Sequence, residues 1–464
     1  MKTTKHTIIY ILLLVVTLSG CKKYLDDASV NPNDPEKATP SSLLANIEVA
    51  TFSNTSGNLA RRSGILIQQL AGTDGQMIEL ANYQILEGDV TNEWNGIYNN
   101  VIINCNIMNA DFGERNPYFN GIAKVLKAYN LGLATTNWGD VPFTEAGKGL
   151  SDNIMSPKYD TQQSIYASLQ TLLSEAITDL EKPEDANDYF PSGDFIHGGD
   201  PAKWIKTAWL LKARFANHLS QRNAGESASL ALQYLENAGL TGTEDDANAI
   251  FGENGNELNQ WYAFESSRGG YIRMGAYFID TLKASNDPRL PFYATTDDDG
   301  LYTGSNVDPG LANISASAVG TYFGSANSPA PMATYVEALF IKAEANLRAG
   351  NTAEAASAHN DAVKASIAQV TGASDAAYEA IFANETSESV NLSKIMYQKY
   401  VALFTQNEVW TDWRRTGFPQ LEANPSGFVS GIPTILPTPQ EERLYNPNAV
   451  NVTNVLNKMW IDAD

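Results

Sequence analysis

The chain is poor in basic residues. It has 31 lysines and arginines against 53 aspartates and glutamates, which gives a formal net charge of -22 over 464 residues. Nucleic acids and anionic membrane surfaces bind proteins mainly through clustered positive charge, so this balance disfavours both as partners. It favours solubility and neutral or cationic ligands instead.

Cysteine is scarce as well, with only Cys21 and Cys105 in the sequence. Cys105 lies within YNNVIINCNIMNA, where apolar side chains recur at helical spacing, and a cysteine there is predicted to be a small buried hydrophobic residue. Cys21 is predicted to be modified. The sequence therefore predicts no disulfide within the chain.

After residue 20 no apolar run reaches the roughly 20 residues that a membrane-spanning helix needs. A shorter apolar run, residues 7–18, follows a basic head that contains Lys2 and Lys5 and precedes the small residues Ser19 and Gly20. This order is typical of a secretory signal. Leu18-Ser19-Gly20-Cys21 is also similar to the box of bacterial lipoproteins, in which the cysteine becomes the lipidated first residue.

We therefore predict a lipoprotein signal peptide over residues 1–20. Residues 21–40 are predicted to be the lipidated Cys21 followed by a polar tether with Asn-Pro, Asp-Pro and Thr-Pro steps. Because a lipoprotein cysteine carries several acyl chains, its attachment to the membrane would be effectively permanent. The protein would contact the membrane through this lipid anchor only.

Motifs for catalysis or metal binding are absent from the sequence. Its four histidines form no His-Glu-x-x-His motif, and it has no Cys-x-x-Cys, no Gly-x-Ser-x-Gly and no P-loop. We predict no catalytic residues, no metal ligands and no cofactor. Residues 297–300, DDDG, could offer oxygen ligands to Ca²⁺, but they lack EF-hand spacing, and an acidic solvated turn is favoured. Remote paired carboxylates of a glycoside hydrolase stay open.

Helical periodicity dominates the rest of the chain. Trp94, Ile97, Tyr98 and Val101 follow i, i+3, i+4 spacing, which predicts one face of a helix. Asp160 and Asp200 precede two further helical stretches and are predicted to be their N-caps.

Small residues mark a repeat. Ala343, Gly350, Ala355 and Ala362 match the small-residue positions of a tetratricopeptide (TPR) repeat, where two helices approach closely. The predicted fold class is mostly α, with a scaffold of TPR-like helical repeats, long irregular loops and minor β. Residues 41–464 are predicted to form a single domain.

Four long irregular stretches interrupt the helices, over residues 72–91, 240–275, 295–331 and 416–450. Loops of this length are usually functional or disordered, and their aromatic content argues against disorder. Aromatic rings stack on the C–H faces of sugars, and polar side chains bind the hydroxyl groups. The predicted ligand-binding residues are Asp74, Gln76, Tyr83, Trp94, Trp261, Arg268, Tyr271 and Tyr322.

Several motifs in order resemble one family. They are KKYLDD after the lipoprotein box, LATTNWGDVPFTEA, NDPRLPFY, MATYVEALFIKAEANLRAGNTAEA and NEVWTDWRRTGFP. Together these resemble the SusD/RagB family of outer-membrane nutrient-binding lipoproteins. Trp410, Asp412 and Arg289 in these motifs are predicted to pack and form ion pairs. Near the C-terminus Thr438-Pro439 stands where the family has Tyr-Pro, which indicates a divergent branch.

The resemblance implies a surface lipoprotein that captures an oligosaccharide and delivers it to a SusC-like TonB-dependent β-barrel transporter, without catalysis. Three other interpretations stay open from the sequence. The same fold could carry a peptide, the chain could be a lipid-anchored glycoside hydrolase, or its repeats could serve only as a scaffold.

Overall fold

The computed structural model describes residues 38–149 and 151–462. The predicted signal peptide and Cys21, with nearly all of the predicted tether, lie outside the described residues. What is described is mostly α-helical, which confirms the predicted fold class. Within those two ranges no helix has both the length and the apolarity to span a bilayer.

The helices of the amino-terminal half are α1 (Pro40–Ser56), α2 (Asn58–Leu66), α3 (Gln76–Ala81), α4 (Thr91–Asn95), α5 (Ile103–Phe112), α6 (Pro117–Trp138), α7 (Gln162–Leu180), α8 (Pro201–His218) and α9 (Ala224–Ala238). A π-helical segment, Gly96–Ile102, joins α4 to α5.

The helices of the carboxy-terminal half are α10 (Gln260–Ser267), α11 (Ala276–Ala284), α12 (Leu290–Tyr293), α13 (Thr321–Gly324), α14 (Tyr335–Ala349), α15 (Thr352–Thr371), α16 (Ala376–Phe382), α17 (Leu392–Ala402), α18 (Glu408–Thr416) and α19 (Gln440–Tyr445). Short 3-10 turns lie at Glu87–Val90, Glu184–Ala186, Leu219–Gln221, Thr243–Asp245, Pro309–Leu311 and Trp460–Asp462.

Across the described residues, four short strands form two antiparallel pairs, the minor β expected from the sequence. Strand β1 (Leu70–Gly72) pairs with β3 (Ile272–Met274), and β2 (Ala247–Ala249) pairs with β4 (Ala330–Ala333). Each pair joins segments about 80 to 200 residues apart in the chain. The strands therefore tie the irregular loops to one another and to the helical scaffold.

The helices form a stack in which each packs on the next: α6 on α7, α7 on α8, α8 on α9, α9 on α14, and α14 on α15. The predicted repeat lies in the last pair. Ala343, Ala355 and Ala362 are completely buried, and Gly350 ends α14 with a φ of 81°, in the left-handed region that glycine accommodates. The predicted helical-repeat scaffold is confirmed.

A close approach between α6 and α8 explains one glycine. A Cβ added at Gly132 would lie 2.5 Å from Cζ of Phe215, so only glycine lets the two helices meet at this distance. Sequence periodicity predicts the helix but does not identify the partner that requires the glycine.

One of the two predicted helix caps is confirmed and the other is wrong by one residue. Asp200 accepts a hydrogen bond from the Ala202 amide at 2.9 Å and caps α8. Helix α7 is capped by Thr161 instead of Asp160. The Asp160 carboxylate is used elsewhere, because it accepts hydrogen bonds from the amides of Phe143 and Thr144 and fixes the preceding loop.

Buried ion pairs and a buried tryptophan fix the carboxy-terminal segments, as the motifs predict. Arg289 and Asp287 pair at 2.7 Å with both side chains fully buried, and Arg415 pairs with Asp412 at 2.6 Å. Trp410 is fully buried and donates its indole N–H to the Pro433 carbonyl at 3.0 Å. These motifs therefore serve the fold.

Candidate ligand-binding site

The pairing of β1 with β3 brings two of the predicted ligand loops together. The Thr73 amide donates to the Tyr271 carbonyl at 2.9 Å, and the Thr73 hydroxyl donates to the Gly270 carbonyl at 2.5 Å. Asp74 and Gln76 therefore begin their loop beside the end of the segment that carries Arg268 and Tyr271. Two stretches nearly 200 residues apart in sequence form one surface.

Gly75 is needed for this contact. Its φ is 50°, and a Cβ at this position would overlap the ring of Tyr271. A side chain would face both backbone strain and a steric clash, so glycine allows the two loops to pack. The Tyr271 ring is half-buried as a result, with its edge near the Phe264 ring at a centroid distance of 6.4 Å.

Helix α10 lies within the stretch 240–275, which the sequence predicts to be irregular. Asn259 accounts for the start of the helix, because its side-chain oxygen accepts a hydrogen bond from the Trp261 amide at 2.7 Å. The Asn259 side-chain amide donates to the Ser328 carbonyl at 2.7 Å, and its backbone amide donates to the Ala326 carbonyl at the same distance. The cap therefore also attaches α10 to the loop that follows α13.

A mainly apolar pocket of about 250 Å³ lies between α10 and α13, and we call it the aromatic pocket. Tyr262 has 39% of its surface exposed, whereas the neighbouring Trp261 has only 5%. The half-exposed Tyr262 ring is therefore the more accessible of the two. The pocket is lined by Trp261, Tyr262, Phe264, Glu265, Ser266, Ile272, Val319 and Gly324.

A second pocket of about 270 Å³ is more polar and lies where α2 meets α3 and the 3-10 turn after it; we call it the arginine pocket. It is lined by Asn58, Arg61, Arg62, Gln76, Met77, Glu79, Leu80, Gln84, Gly88, Asp89 and Asn92. Carboxamide groups and guanidinium groups offer hydrogen-bond donors and acceptors to a polyhydroxylated ligand.

Arg61 connects the two pockets. Its guanidinium lies 4.5 Å from the centroid of the Phe264 ring and 6.0 Å from that of Trp261, within the range of cation–π attraction. Arg268 lies 5.6 Å from the same Phe264 ring. The arginine pocket and the aromatic pocket are thus neighbours, and we call the surface that contains both, with the loop of residues 73–76 and Tyr271, the two-pocket face.

Five of the predicted residues lie on or beside this face. Gln76 is exposed in the arginine pocket, and Trp261 lines the aromatic pocket from below. Asp74 is half-buried, and its carboxylate accepts a hydrogen bond from the Gly75 amide at 2.7 Å. The remaining two are Arg268, which is exposed, and Tyr271.

Tyr322 lies on α13, next to the aromatic pocket, but its ring is half-buried against Phe323 and Tyr293. It lines a separate small cavity of about 50 Å³ between the loops and the repeat scaffold. Burial raises the pKa of its hydroxyl to about 12. Its ring is oriented into the fold, and the structure does not bring it to the two-pocket face.

Tyr83 and Trp94 are buried in the core. Tyr83 has a φ of 59°, and its hydroxyl accepts a hydrogen bond from the Asn424 amide at 2.9 Å, so it holds the carboxy-terminal loop. The Trp94 ring packs between Tyr98 and Trp138, at centroid distances of 4.5 and 5.3 Å. Neither residue is brought to the two-pocket face. Tyr83 is held by the carboxy-terminal loop, and the helical stripe that Trp94 begins faces inward.

The accessible residues of this face that were not among the predicted set include Tyr262, Gln84 and Asn92. The aromatic content of the loop does indicate Tyr262, but neighbouring Trp261 and Tyr262 cannot be ranked from sequence. Gln84 and Asn92 carry no distinguishing signal, because polar residues in a polar stretch are expected. Arg61 is missed because it lies in a helix and not in a loop. A signal was present in the segment NLARRSGIL, because two adjacent arginines among residues that become buried are unusual.

The described histidines lie away from this face. His218 accepts or donates at Nδ1 to the Tyr166 hydroxyl at 2.9 Å, and its Nε2 lies 2.5 Å from Glu408. A hydroxyl, an imidazole and a carboxylate linked in this way resemble a catalytic triad. Tyr166 and His218, however, are buried within the helical stack and form part of the core. Over residues 38–149 and 151–462, no three His, Cys, Asp or Glu side chains are grouped to hold a metal.

The acidic turn at residues 297–300 is held by hydrogen bonds of its first aspartate. The Asp297 carboxylate accepts hydrogen bonds from the amides of Asp299 and Leu301, at 3.0 and 2.9 Å, and from the Thr303 hydroxyl. The backbone N–H of Leu301 and the other donors lower the pKa of Asp297. The turn is therefore closed by its own aspartate.

Taken together, the architecture is that of a helical-repeat protein that displays a loop-built face. A family model described as starch-binding and associating with the outer membrane matches residues 32–434. The chain therefore belongs to the SusD-like family, as its motifs indicate. A comparison with curated protein sequences finds no match.

Solved structures of SusD-like proteins have the same fold. A SusD/RagB family protein from Bacteroides thetaiotaomicron is 26% identical, with a TM-score of 0.74 over 89% of this chain and 95% of its own. A chitin-binding SusD homologue from Flavobacterium johnsoniae is 22% identical, with a TM-score of 0.75 over 91% and 97%. A SusD homologue from Bacteroides fragilis is 23% identical, with a TM-score of 0.73 over 91% and 100%.

Proposed function

We propose that this protein binds an oligosaccharide at the two-pocket face and delivers it to a SusC-like TonB-dependent transporter. In this proposal Cys21 carries lipid and anchors the chain to the outer membrane, with the bulk of the protein at the cell surface. The protein binds its ligand without chemical change, as the family resemblance implies.

The observation that supports this proposal most directly is the convergence of separate loops on one face. The aromatic pocket offers the half-exposed ring of Tyr262, which suits the C–H face of a sugar ring. The arginine pocket offers Gln76, Gln84 and Asn92, whose carboxamides can both donate to and accept from hydroxyl groups. A ligand that spans both pockets needs alternating apolar faces and hydroxyl groups, and oligosaccharides have both.

The comparisons support the class of ligand and the location. The matching family is described as starch-binding and associating with the outer membrane, and one structural neighbour is described as chitin-binding. Oligosaccharides of the starch and chitin types are therefore the first ligands to test. Lipid anchoring would add an entropic advantage, because it keeps the binding face at high effective concentration near the transporter.

Substitution of Tyr262 tests the binding face. We expect Tyr262→Ala to weaken the best-binding oligosaccharide by about 1.5 kcal/mol, roughly tenfold in Kd, through loss of ring stacking. The measurement is calorimetric titration with malto- and chito-oligosaccharides. Tyr445→Ala is the matched control, because Tyr445 is 77% exposed and lies on α19, outside both pockets.

The proposal predicts that the control binds like the unaltered protein. Equal weakening in both variants, or unchanged binding in Tyr262→Ala, would contradict the location of the site. Delivery is tested separately by tagging the full chain in its own cells and asking whether a TonB-dependent β-barrel copurifies after mild detergent extraction. Recovery without such a barrel would contradict the transport part of the proposal.

A further inference from the structure

Two adjacent arginines on α2 are buried in the arginine pocket. Arg61 and Arg62 have only 6% and 7% of their surfaces exposed, yet both line the cavity. A buried charge is costly unless it is paired, and buried arginines normally have carboxylate partners. The partners of these two residues therefore indicate whether the pocket carries an unbalanced charge.

Arg62 has a partner within the protein. Its guanidinium lies 3.3 Å from the Glu93 carboxylate and donates to the Asp89 carbonyl at 3.0 Å. Glu93 is itself buried, so the pair is close to neutral. Arg62 thus serves to hold the 3-10 turn that forms one wall of the pocket.

Arg61 has no such partner: within the described chain, no carboxylate lies within 4.0 Å of its guanidinium. It donates to the Gln260 carbonyl at 3.2 Å and to the Asn58 side-chain oxygen at 2.7 Å, both uncharged. Its Nε–H is buried without an acceptor. A guanidinium has five N–H donors, so these two bonds leave donor capacity unused.

Nearby charge increases the imbalance. Arg268 shares the Phe264 ring with Arg61, so the two guanidinium groups are near each other. Burial, together with the positive charges of Arg268 and Arg62 and against the attraction of Glu93, lowers the pKa of Arg61 to about 10. Arg61 is still charged at neutral pH.

The carboxylates around the cavity do not balance this charge. Glu79 and Asp89 are exposed on the rim, where water and salt screen them. Glu265, in the aromatic pocket, is paired with Arg273 at 2.9 Å. The lining of the arginine pocket thus contains two arginines and two carboxylates, and Arg61 is the buried cation that no described carboxylate contacts.

We propose that the arginine pocket is a carboxylate subsite and that the ligand is an acidic oligosaccharide. One uronate carboxylate contacts Arg61, with Arg268 near the mouth, and the adjacent sugar ring lies against Tyr262 in the aromatic pocket. The proposal rests on the glycan-binding function proposed above and names the class of glycan. A carboxylate supplies the negative charge that Arg61 lacks, whereas a hydroxyl group would leave the buried charge unbalanced.

The test compares neutral glycans with acidic ones, including pairs that share one backbone. Maltohexaose, cellohexaose and chitohexaose are titrated beside C6-oxidised malto- and cello-oligosaccharides, in which uronates replace primary alcohols, and beside hexagalacturonate and its methyl ester. Titrations are run in 50 mM and 500 mM NaCl. We expect at least one acidic glycan to bind tenfold or more tightly than its neutral counterpart, with a smaller ratio at high salt because screening weakens the charge contact.

Three variants locate the preference. Arg61→Gln and Arg268→Gln should each lower the ratio of acidic to neutral affinity severalfold, while Glu79→Gln should raise the affinity for the acidic glycan. Arg115→Gln is the matched control, because Arg115 is exposed, pairs with Asp188 and lies outside both pockets. Thermal melting of each variant separates loss of binding from loss of fold, and Arg268 is exposed, so its substitution should leave the fold intact.

Equal affinity for acidic and neutral partners in the unaltered protein would overturn the carboxylate subsite while leaving glycan binding in place. An acid preference that persists in natively folded Arg61→Gln and Arg268→Gln proteins would overturn it as well. Binding of none of these glycans, neutral or acidic, would instead count against the proposed function itself.

Discussion

Trp261 and Tyr262, which are neighbours on α10, should differ in how much stability the protein loses when each is replaced by alanine. Trp261 is 5% exposed and forms the floor of the aromatic pocket, whereas Tyr262 is 39% exposed at its mouth. Replacing a buried tryptophan by alanine costs about 3–5 kcal/mol, through lost transfer free energy and the cavity that remains. Trp261→Ala also removes a ring that packs beside the buried Arg61 guanidinium.

The melting temperature measures this cost. Unfolding entropy is about 2.1 cal/mol/K per residue, or roughly 1 kcal/mol/K for a chain of this size, so the loss corresponds to about 3–5 °C. Trp410→Ala is the positive control, because Trp410 is fully buried in α18 and lines neither pocket. Tyr262→Ala should melt close to the unaltered protein, since exposed positions seldom carry core stability.

Differential scanning calorimetry on the three variants gives the result. We expect Trp261→Ala and Trp410→Ala to be destabilised alike, and Tyr262→Ala to differ from the unaltered protein by less than about 1 °C. If Trp261→Ala kept its full melting temperature and lost only ligand affinity, the tryptophan would be a direct ligand contact, and our reasoning from its burial would be refuted.

Three further predictions concern the anchor, the chemistry and the pH response. Cys21→Ser should move the protein from the membrane fraction to the soluble fraction; unchanged membrane association, with no lipid found by mass spectrometry on the unaltered protein, would refute acylation. Any glycan that binds should keep its chain length after prolonged incubation, as judged by chromatography; shortened products that depend on a specific acidic pair would favour the hydrolase. Burial raises the pKa of Asp246 to about 7, against hydrogen bonds from the Tyr335 amide and Gln369. Its stabilising contribution should be full below about pH 4 and should be lost as pH rises through 7, so Asp246→Asn should flatten the decline of stability between about pH 4 and 7; an identical pH profile would contradict this assignment.

The helical scaffold follows from local sequence. Apolar residues at 3.6-residue spacing, caps such as Asp200 and small residues such as Ala343 and Ala355 are each read within one or two turns of a helix. The physical reason is that helix hydrogen bonds join residues four apart, so periodicity and capping determine where helices form. The misplaced cap at Asp160 shows the usual limit, since adjacent Asp160 and Thr161 can both cap a helix.

The motifs also separate structural residues from candidate ligand contacts in favourable cases. Trp410 and Arg289 could be assigned to the core because they lie in segments with apolar spacing or a turn that needs an ion pair. Trp94 belongs to the same group, and its position at the start of a helical stripe already indicates burial. In the loops no such periodicity exists, so Tyr83 and Tyr271 are equivalent in sequence, although one is buried and the other is at the face.

The sequence by itself determined the helical class, the predicted repeat pair, the family resemblance and the loops in which a binding face was to be sought. Only the tertiary structure decided which loop residues meet, because the β1–β3 pairing joins segments nearly 200 residues apart and no local pattern encodes that register. It also decided that Tyr262 is exposed while Trp261 is buried, and that Arg61 is buried in a pocket where no described carboxylate pairs with it. Burial and charge balance depend on every element packed around a side chain, and those elements come from distant parts of the chain.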